Sequence, residues 1–135
     1  MIMKTNRLLL LLGLVNFSLF CDAQYNNIYA FDDYKKGWAL VEKGNKVGFI
    51  DTNGVEIVKP KYHNIYKFGD YQKGWALVEK GVKVGFIDTN GVEVVKPKYY
   101  NIYKFGDYKK GWALVEKGNK VGFINHQGKV AIKPK

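Results

Sequence analysis

Cysteine, proline, histidine and arginine are all scarce in this chain. Its 135 residues contain one cysteine (Cys21), three prolines, two histidines and one arginine (Arg7). A lone thiol excludes a disulfide scaffold, so the fold must be held by packing. Two histidines fall short of the three or four convergent ligands that a zinc site needs. Every basic residue beyond position 7 is lysine. Lysine is a point charge on a flexible stem and lacks the forked guanidinium that grips phosphate or carboxylate bidentately. No nucleophile elbow, phosphate-binding loop or calcium loop is present.

Long apolar runs are scarce too, and the one present lies at the start. Lys4 and Arg7 form a positive segment, and Leu8 to Phe20 is an apolar stretch of thirteen residues. That is too short to span a bilayer comfortably, and it reads as the core of a signal peptide. Cys21-Asp22-Ala23 places small side chains at −3 and −1 of a cut before Gln24. Lipidation of Cys21 is the rival reading, but the bulky Phe20 just before it disfavours that cleavage. The expectation is a leader over 1–23, a repeat domain over 24–135, and export to the periplasm, the cell surface or the medium without a transmembrane anchor. Such a cut removes the only cysteine, and with it any thiol nucleophile or thiolate metal ligand. The remaining chain carries 20 lysines against 11 carboxylates, a net charge of about +9. A lysine coat of this kind gives solubility and weak attraction to polyanions.

What the chain has in quantity is repetition. Trp38, Trp75 and Trp112 are spaced by 37 residues, and the repeats 25–61, 62–98 and 99–135 fill the region after Gln24. The first two copies differ at six positions and the last two at ten. Each copy reads as short strands. Trp38–Lys43 is rich in β-formers, and Gly44-Asn45 follows. Val82 stands where Asn45 does, which argues for a type II′ turn, because type I′ needs positive φ at both positions. Lys46–Asp51 is the return strand, and Gly48 within it marks a close backbone approach or a bulge. Asp51-Thr52-Asn53-Gly54 is a second turn capped by its aspartate. A third strand, Val55–Val58, is expected to end before Pro60. The aromatic stretch Tyr62–Phe68 is a short strand or a packed loop. The predicted fold is all-β: three antiparallel β-meander repeats stacked as a short solenoid-like or propeller-like array.

These elements together, Gly-Trp-Ala-Leu-Val, Lys-Val-Gly-Phe-Ile-Asp, Asn-Gly and Val-Lys-Pro-Lys-Tyr, resemble the bacterial WG-repeat family, also called KWG repeats. The resemblance covers residues 25–135. One departure is that the namesake Trp-Gly is Val47-Gly48 here, and likewise Val84-Gly85 and Val121-Gly122. The resemblance implies a β-hairpin repeat in exported or surface-associated proteins, with no established catalytic activity.

The chemistry-bearing residues are few. His63 and His126 occupy different repeat positions, so a repeat-built metal site is not expected. Asp51 and Asp88 become Asn125 in the third copy, which fits a turn cap better than an acid or base. Glu42, Glu79 and Glu116 each precede a lysine and read as exposed ion pairs. No catalytic residue, metal ligand or cofactor is expected. Aromatics are the strongest lead. Trp38, Trp75, Trp112, Phe49, Phe86 and Phe123 sit at period-two spacing with Leu40 and Val47 and their equivalents, and are expected to form the core. Tyr29, Tyr34, Tyr66, Tyr71, Tyr103 and Tyr108, with Lys67 and Lys104, form a candidate binding face. The expected function is a non-catalytic binding or scaffolding module for a protein or an acidic envelope glycan, with a carbohydrate-binding module as the alternative. Export argues against a nucleic-acid partner, and a homo-oligomer is open. In the third copy, Lys129 and Ala131 replace the Val55/Ile57 pair, which suggests a polar end cap on a Val/Ile stacking face.

Intact-mass measurement on protein from the native host should give an N-terminus at Gln24; lipid attached to Cys21 would overturn the soluble reading.

Overall fold

A computed structural model describes residues 24–135; the expected leader over 1–23 lies outside the described residues. The described chain is all-β, with twelve strands in three four-stranded antiparallel sheets. The first holds β1 (Asn27–Phe31), β2 (Trp38–Lys43), β3 (Lys46–Asp51) and β4 (Glu56–Tyr62). The second holds β5 (Asn64–Ile65), β6 (Trp75–Lys80), β7 (Lys83–Asp88) and β8 (Glu93–Tyr99). The third holds β9 (Asn101–Ile102), β10 (Trp112–Lys117), β11 (Lys120–Asn125) and β12 (Val130–Ile132). Spatial order follows chain order in each sheet. The aromatic connector therefore supplies a fourth strand beside the expected three, pairing Ile65 with Val78 and Ile102 with Val115.

Local chemistry explains each turn. Gly44, Gly81 and Gly118 have φ of +64°, while Asn45, Val82 and Asn119 do not enter positive φ. That combination is the type II′ geometry, and a β-branched residue such as Val82 can occupy its second position. At the next turn, Asp51 Oδ1 accepts from the backbone N–H groups of Asn53 (2.8 Å) and Val55 (3.0 Å). Asn125 does the same for Gln127 and Lys129. Only a side-chain acceptor is needed, so the aspartate-to-asparagine change between copies is harmless.

Gly48 and Pro60 belong together. The ladder pairs Val47 with Tyr62 and Phe49 with Val58, leaving Lys59-Pro60-Lys61 opposite Gly48 alone. A Cβ on Gly48 would lie 2.2 Å from the Val58 carbonyl oxygen. The strand thus bulges over the glycine and continues through Pro60 to Tyr62, where the sequence suggested an end. Pro60 is tolerated because β4 is an edge strand and the bulge removes the need for its missing N–H.

Each sheet is apolar on both faces. On β6, Trp75 and Leu77 point one way and Ala76 and Val78 the other. Leu77, Val84, Phe86 and Val95 meet Ile102, Ala113, Val115 and Ile124 of the third sheet in one buried cluster. Trp38, Leu40, Phe49 and Val58 meet Ile65, Ala76, Val78 and Ile87 of the second sheet in another. The sheets therefore stack face to face, with the Trp/Leu/Phe face of one on the Ala/Val/Ile face of the next. Val84, at the position of the family's namesake Trp, is buried in this packing.

The end-cap reading requires correction. Val55 and Val92 are 55% and 57% exposed, so neither mediates stacking. They precede their strands, and the register shift between Phe49 and Ile50 breaks the alternation that grouped Val55 with Ile57. It is the adjacent pair Ile57 and Val58 that meets the next sheet: a Cβ on Gly91 would lie 3.1 and 3.0 Å from their methyl carbons. Lys129 consequently lies off the stacking surface, and the third sheet is not capped by it.

Gly85→Ala should cost about 3 kcal/mol or more, at the upper end for overpacking, because the new methyl would meet backbone. Gly81→Ala, which opens onto free space at φ +64°, should cost about 1–2 kcal/mol. Urea midpoints at constant slope would measure both, and an equal or reversed order would contradict the bulge packing.

Candidate binding face

The connectors place the tyrosines. In the second repeat, Ile65 turns into the core beside Val78, which sends Tyr66 to the opposite face with Glu79. The Tyr66 hydroxyl donates to Glu79 Oε2 at 2.9 Å. Tyr103 donates to Glu116 Oε2 at 2.9 Å, and Tyr29 to Glu42 Oε1 at 3.2 Å. Asn27 Nδ2 also donates to Glu42, at 2.8 Å. The three glutamates are thus tyrosine acceptors, a role not expected from their neighbouring lysines. The signal was there: Tyr and Glu recur thirteen residues apart in every copy. Reading it required knowing that the connector pairs as an edge strand.

Tyr71 stands edge-on to Tyr66, with ring centroids 6.3 Å apart, and Tyr108 to Tyr103 at 5.7 Å. Lys67 Nζ lies 5.9 Å from the centre of the Tyr34 ring, joining one repeat to the next. No such contact of Lys104 with a ring occurs among the described residues. Tyr29 and Tyr108 are exposed, while Tyr34, Tyr66, Tyr71 and Tyr103 are half-buried. Tyr34 and Tyr71 also pack edge-on against Phe49 and Phe86, so both serve the core as well as the surface. Of the expected core, Trp38, Phe49 and Phe86 are buried. Trp75, Trp112 and Phe123 are half-buried.

A second set of tyrosines links strands farther apart. Tyr62, on β4, donates to Glu93 on β8, and Tyr25 donates to Glu56 at 2.6 Å. His63 Nδ1 accepts from the Gly81 N–H at 2.8 Å, where the first copy uses Asn26 Oδ1 on Gly44. His63 is therefore a hairpin strut. Among the described residues no group of three or more His, Cys, Asp or Glu could hold a metal ion. No described helix is long and apolar enough to cross a membrane.

The carboxylates and burial act on the phenols. Burial, reinforced by Glu93, holds the Tyr62 hydroxyl well above the ordinary tyrosine range. Tyr25 is raised by burial and by Glu56. Tyr66, Tyr103 and Tyr29 are raised first by the hydrogen bond to their glutamates. Tyr99 is raised by burial alone. Chemically, the face offers neutral aromatic rings and ammonium groups, with its glutamates engaged by tyrosines.

Three stacked meander sheets with a side-chain ladder at the repeat spacing define a tandem β-repeat protein. The WG containing repeat matches the chain at residues 48–83, 85–120 and 122–135, and the chain belongs to that family. No curated protein and no solved structure matches it.

Six of the ten tyrosines have raised pKa values. Their contribution to stability is full below the unfolded tyrosine pKa of about 10 and falls as pH rises above it, because the unfolded chain then releases protons that the folded chain retains. Ultraviolet titration should show these six ionising above the ordinary tyrosine range, with Tyr25 and Tyr62 ionising only as the far-ultraviolet circular dichroism collapses. Reversible ionisation of all ten in a folded chain would refute the pairing.

Proposed function

We propose that this WG-repeat protein is an exported, non-catalytic binding module whose repeated Tyr/Lys face holds an acidic, extended envelope polymer. The observation that carries this reading is the recurrence of Tyr66–Tyr71 and Tyr103–Tyr108 pairs one repeat apart, with Lys67 reaching back over Tyr34 of the first repeat. A regular array of rings and ammonium groups suits a polymer with a repeat of its own. The charge balance supports an anionic one, since beyond residue 23 there are 20 lysines against 11 Asp and Glu residues and the ladder's glutamates are engaged by tyrosines. The absence of arginine beyond the leader favours diffuse polyanion attraction over tight recognition of a single phosphate. Many weak contacts along one polymer add through effective concentration. A protein partner is the alternative.

Calorimetry with polygalacturonate and with neutral dextran tests the proposal. Polygalacturonate should bind and dextran should not, with affinity dropping as ionic strength rises past about 0.15 M, where charges beyond roughly 8 Å are screened. Tyr108→Ala and Lys104→Gln should each weaken binding several-fold, consistent with loss of about 1 kcal/mol. Salt-independent binding of dextran would replace this reading with the neutral-glycan one, and binding of neither polymer would end it.

A further inference from the structure

Both internal junctions between sheets are closed by the same three rings. Trp38 and Phe49 stand 5.2 Å apart between centroids, and Trp75 and Phe86 stand 5.3 Å apart. The phenylalanine of the following connector completes each pair. Phe68 lies 5.9 Å from Trp38 and 6.2 Å from Phe49, and Phe105 lies 5.6 Å from Trp75 and 6.0 Å from Phe86. Trp112 and Phe123 form the same pair in the third sheet, at 5.6 Å, but no third ring joins them among the described residues. Val121 and Ile132 beside them are 52% and 47% exposed.

The opposite end carries the matching part. Phe31 occupies the repeat position of Phe68 and Phe105 and is 40% exposed. Ile28 is 58% exposed, although its equivalents Ile65 and Ile102 are buried in the junctions. Gly54 meets open space, whereas Gly91 and Gly128 press on Val58 and Val95 of the preceding sheets. Ala39, Val41 and Ile50 are already buried with Tyr25 packed on them, so the free surface is the rim formed by Ile28, Phe31 and the Gly54 turn.

The geometry points to head-to-tail association of two copies of this chain, with Phe31 of one closing the Trp112–Phe123 pair of the other. A second copy is the fitting occupant because Ile28, Phe31 and Gly54 are the same residue types that close the two internal junctions, and they recur at the same spacing. The surfaces that meet are different, so the contact is heterologous and either closes into a ring or runs on as an open chain.

Sedimentation velocity over a wide concentration range, on protein produced from the full 135-residue chain, is the test. The parent should associate. Phe31→Lys and Ile132→Lys, both at exposed positions, should each be monomeric on their own. An equimolar mixture of the two should recover a dimer and stop there, since one intact head and one intact tail remain. Circular dichroism would confirm that both variants fold, with Val121→Lys replacing Ile132→Lys if the latter does not. A parent that stays monomeric throughout would overturn the proposal. Association of Phe31→Lys alone would do so too, since it would indicate tail-to-tail contact.

Discussion

Every sheet in this chain is apolar on both faces, and neither face can be covered by its own four strands. Ala76, Val78 and Ile87 look toward the preceding sheet, and Trp75, Leu77 and Phe86 toward the following one. An isolated meander with those residues would leave one or both faces in water and would be marginal. Stacking is therefore the condition for folding, and chain order becomes spatial order because each sheet finds its partner one repeat away. The short turns, the buried bulge and the edge tyrosines all operate within that stack.

The bulge shows how closely backbone and packing are tied. Gly48 faces three residues of β4, and without a side chain it lets the Val58 carbonyl approach where a methyl would stand. This places Val58 on the inter-sheet surface and turns Tyr62 inward, so that its hydroxyl reaches Glu93 of the next sheet. One glycine thus governs a hydrophobic contact and a polar one in the same strand. Pro60 fits because nothing at that point asks it for a hydrogen bond.

Much of this was legible from residues alone. Val82 in a hairpin turn was enough to choose its type, Gly48 to announce a close approach, and the Asp51-to-Asn125 exchange to assign a capping role. These are local matters, settled within a few residues by sterics and hydrogen bonding. What depended on register was not legible. Alternation placed Val55 on the stacking face, but the bulge shifts the parity and leaves it in solvent. Glu79 read as a lysine partner because its neighbour in sequence is Lys80, whereas its neighbour across the sheet edge is Tyr66. The pairing of Tyr62 with Glu93 spans 31 residues and two sheets, and its recurrence as Tyr25 with Glu56 has meaning only once the stacking is known. The binding face was legible as a recurrence of rings, but not the degree to which Tyr34 and Tyr71 also serve the core.

The Tyr62–Glu93 bond has no counterpart one repeat later. Tyr99 is as buried as Tyr62, yet the third copy has Val130 where Glu93 stands, and burial alone raises the Tyr99 pKa. Where stability is a sum of unit terms and nearest-neighbour coupling terms, the two junctions are then unequal. The first is fastened by a charge-assisted side-chain hydrogen bond as well as by packing, the second by packing and one backbone hydrogen bond, from the Phe105 N–H to the Tyr71 carbonyl at 3.2 Å. The array has a polarity in its cooperativity: the first two sheets behave as a tightly coupled pair, and the third is the unit that detaches most readily.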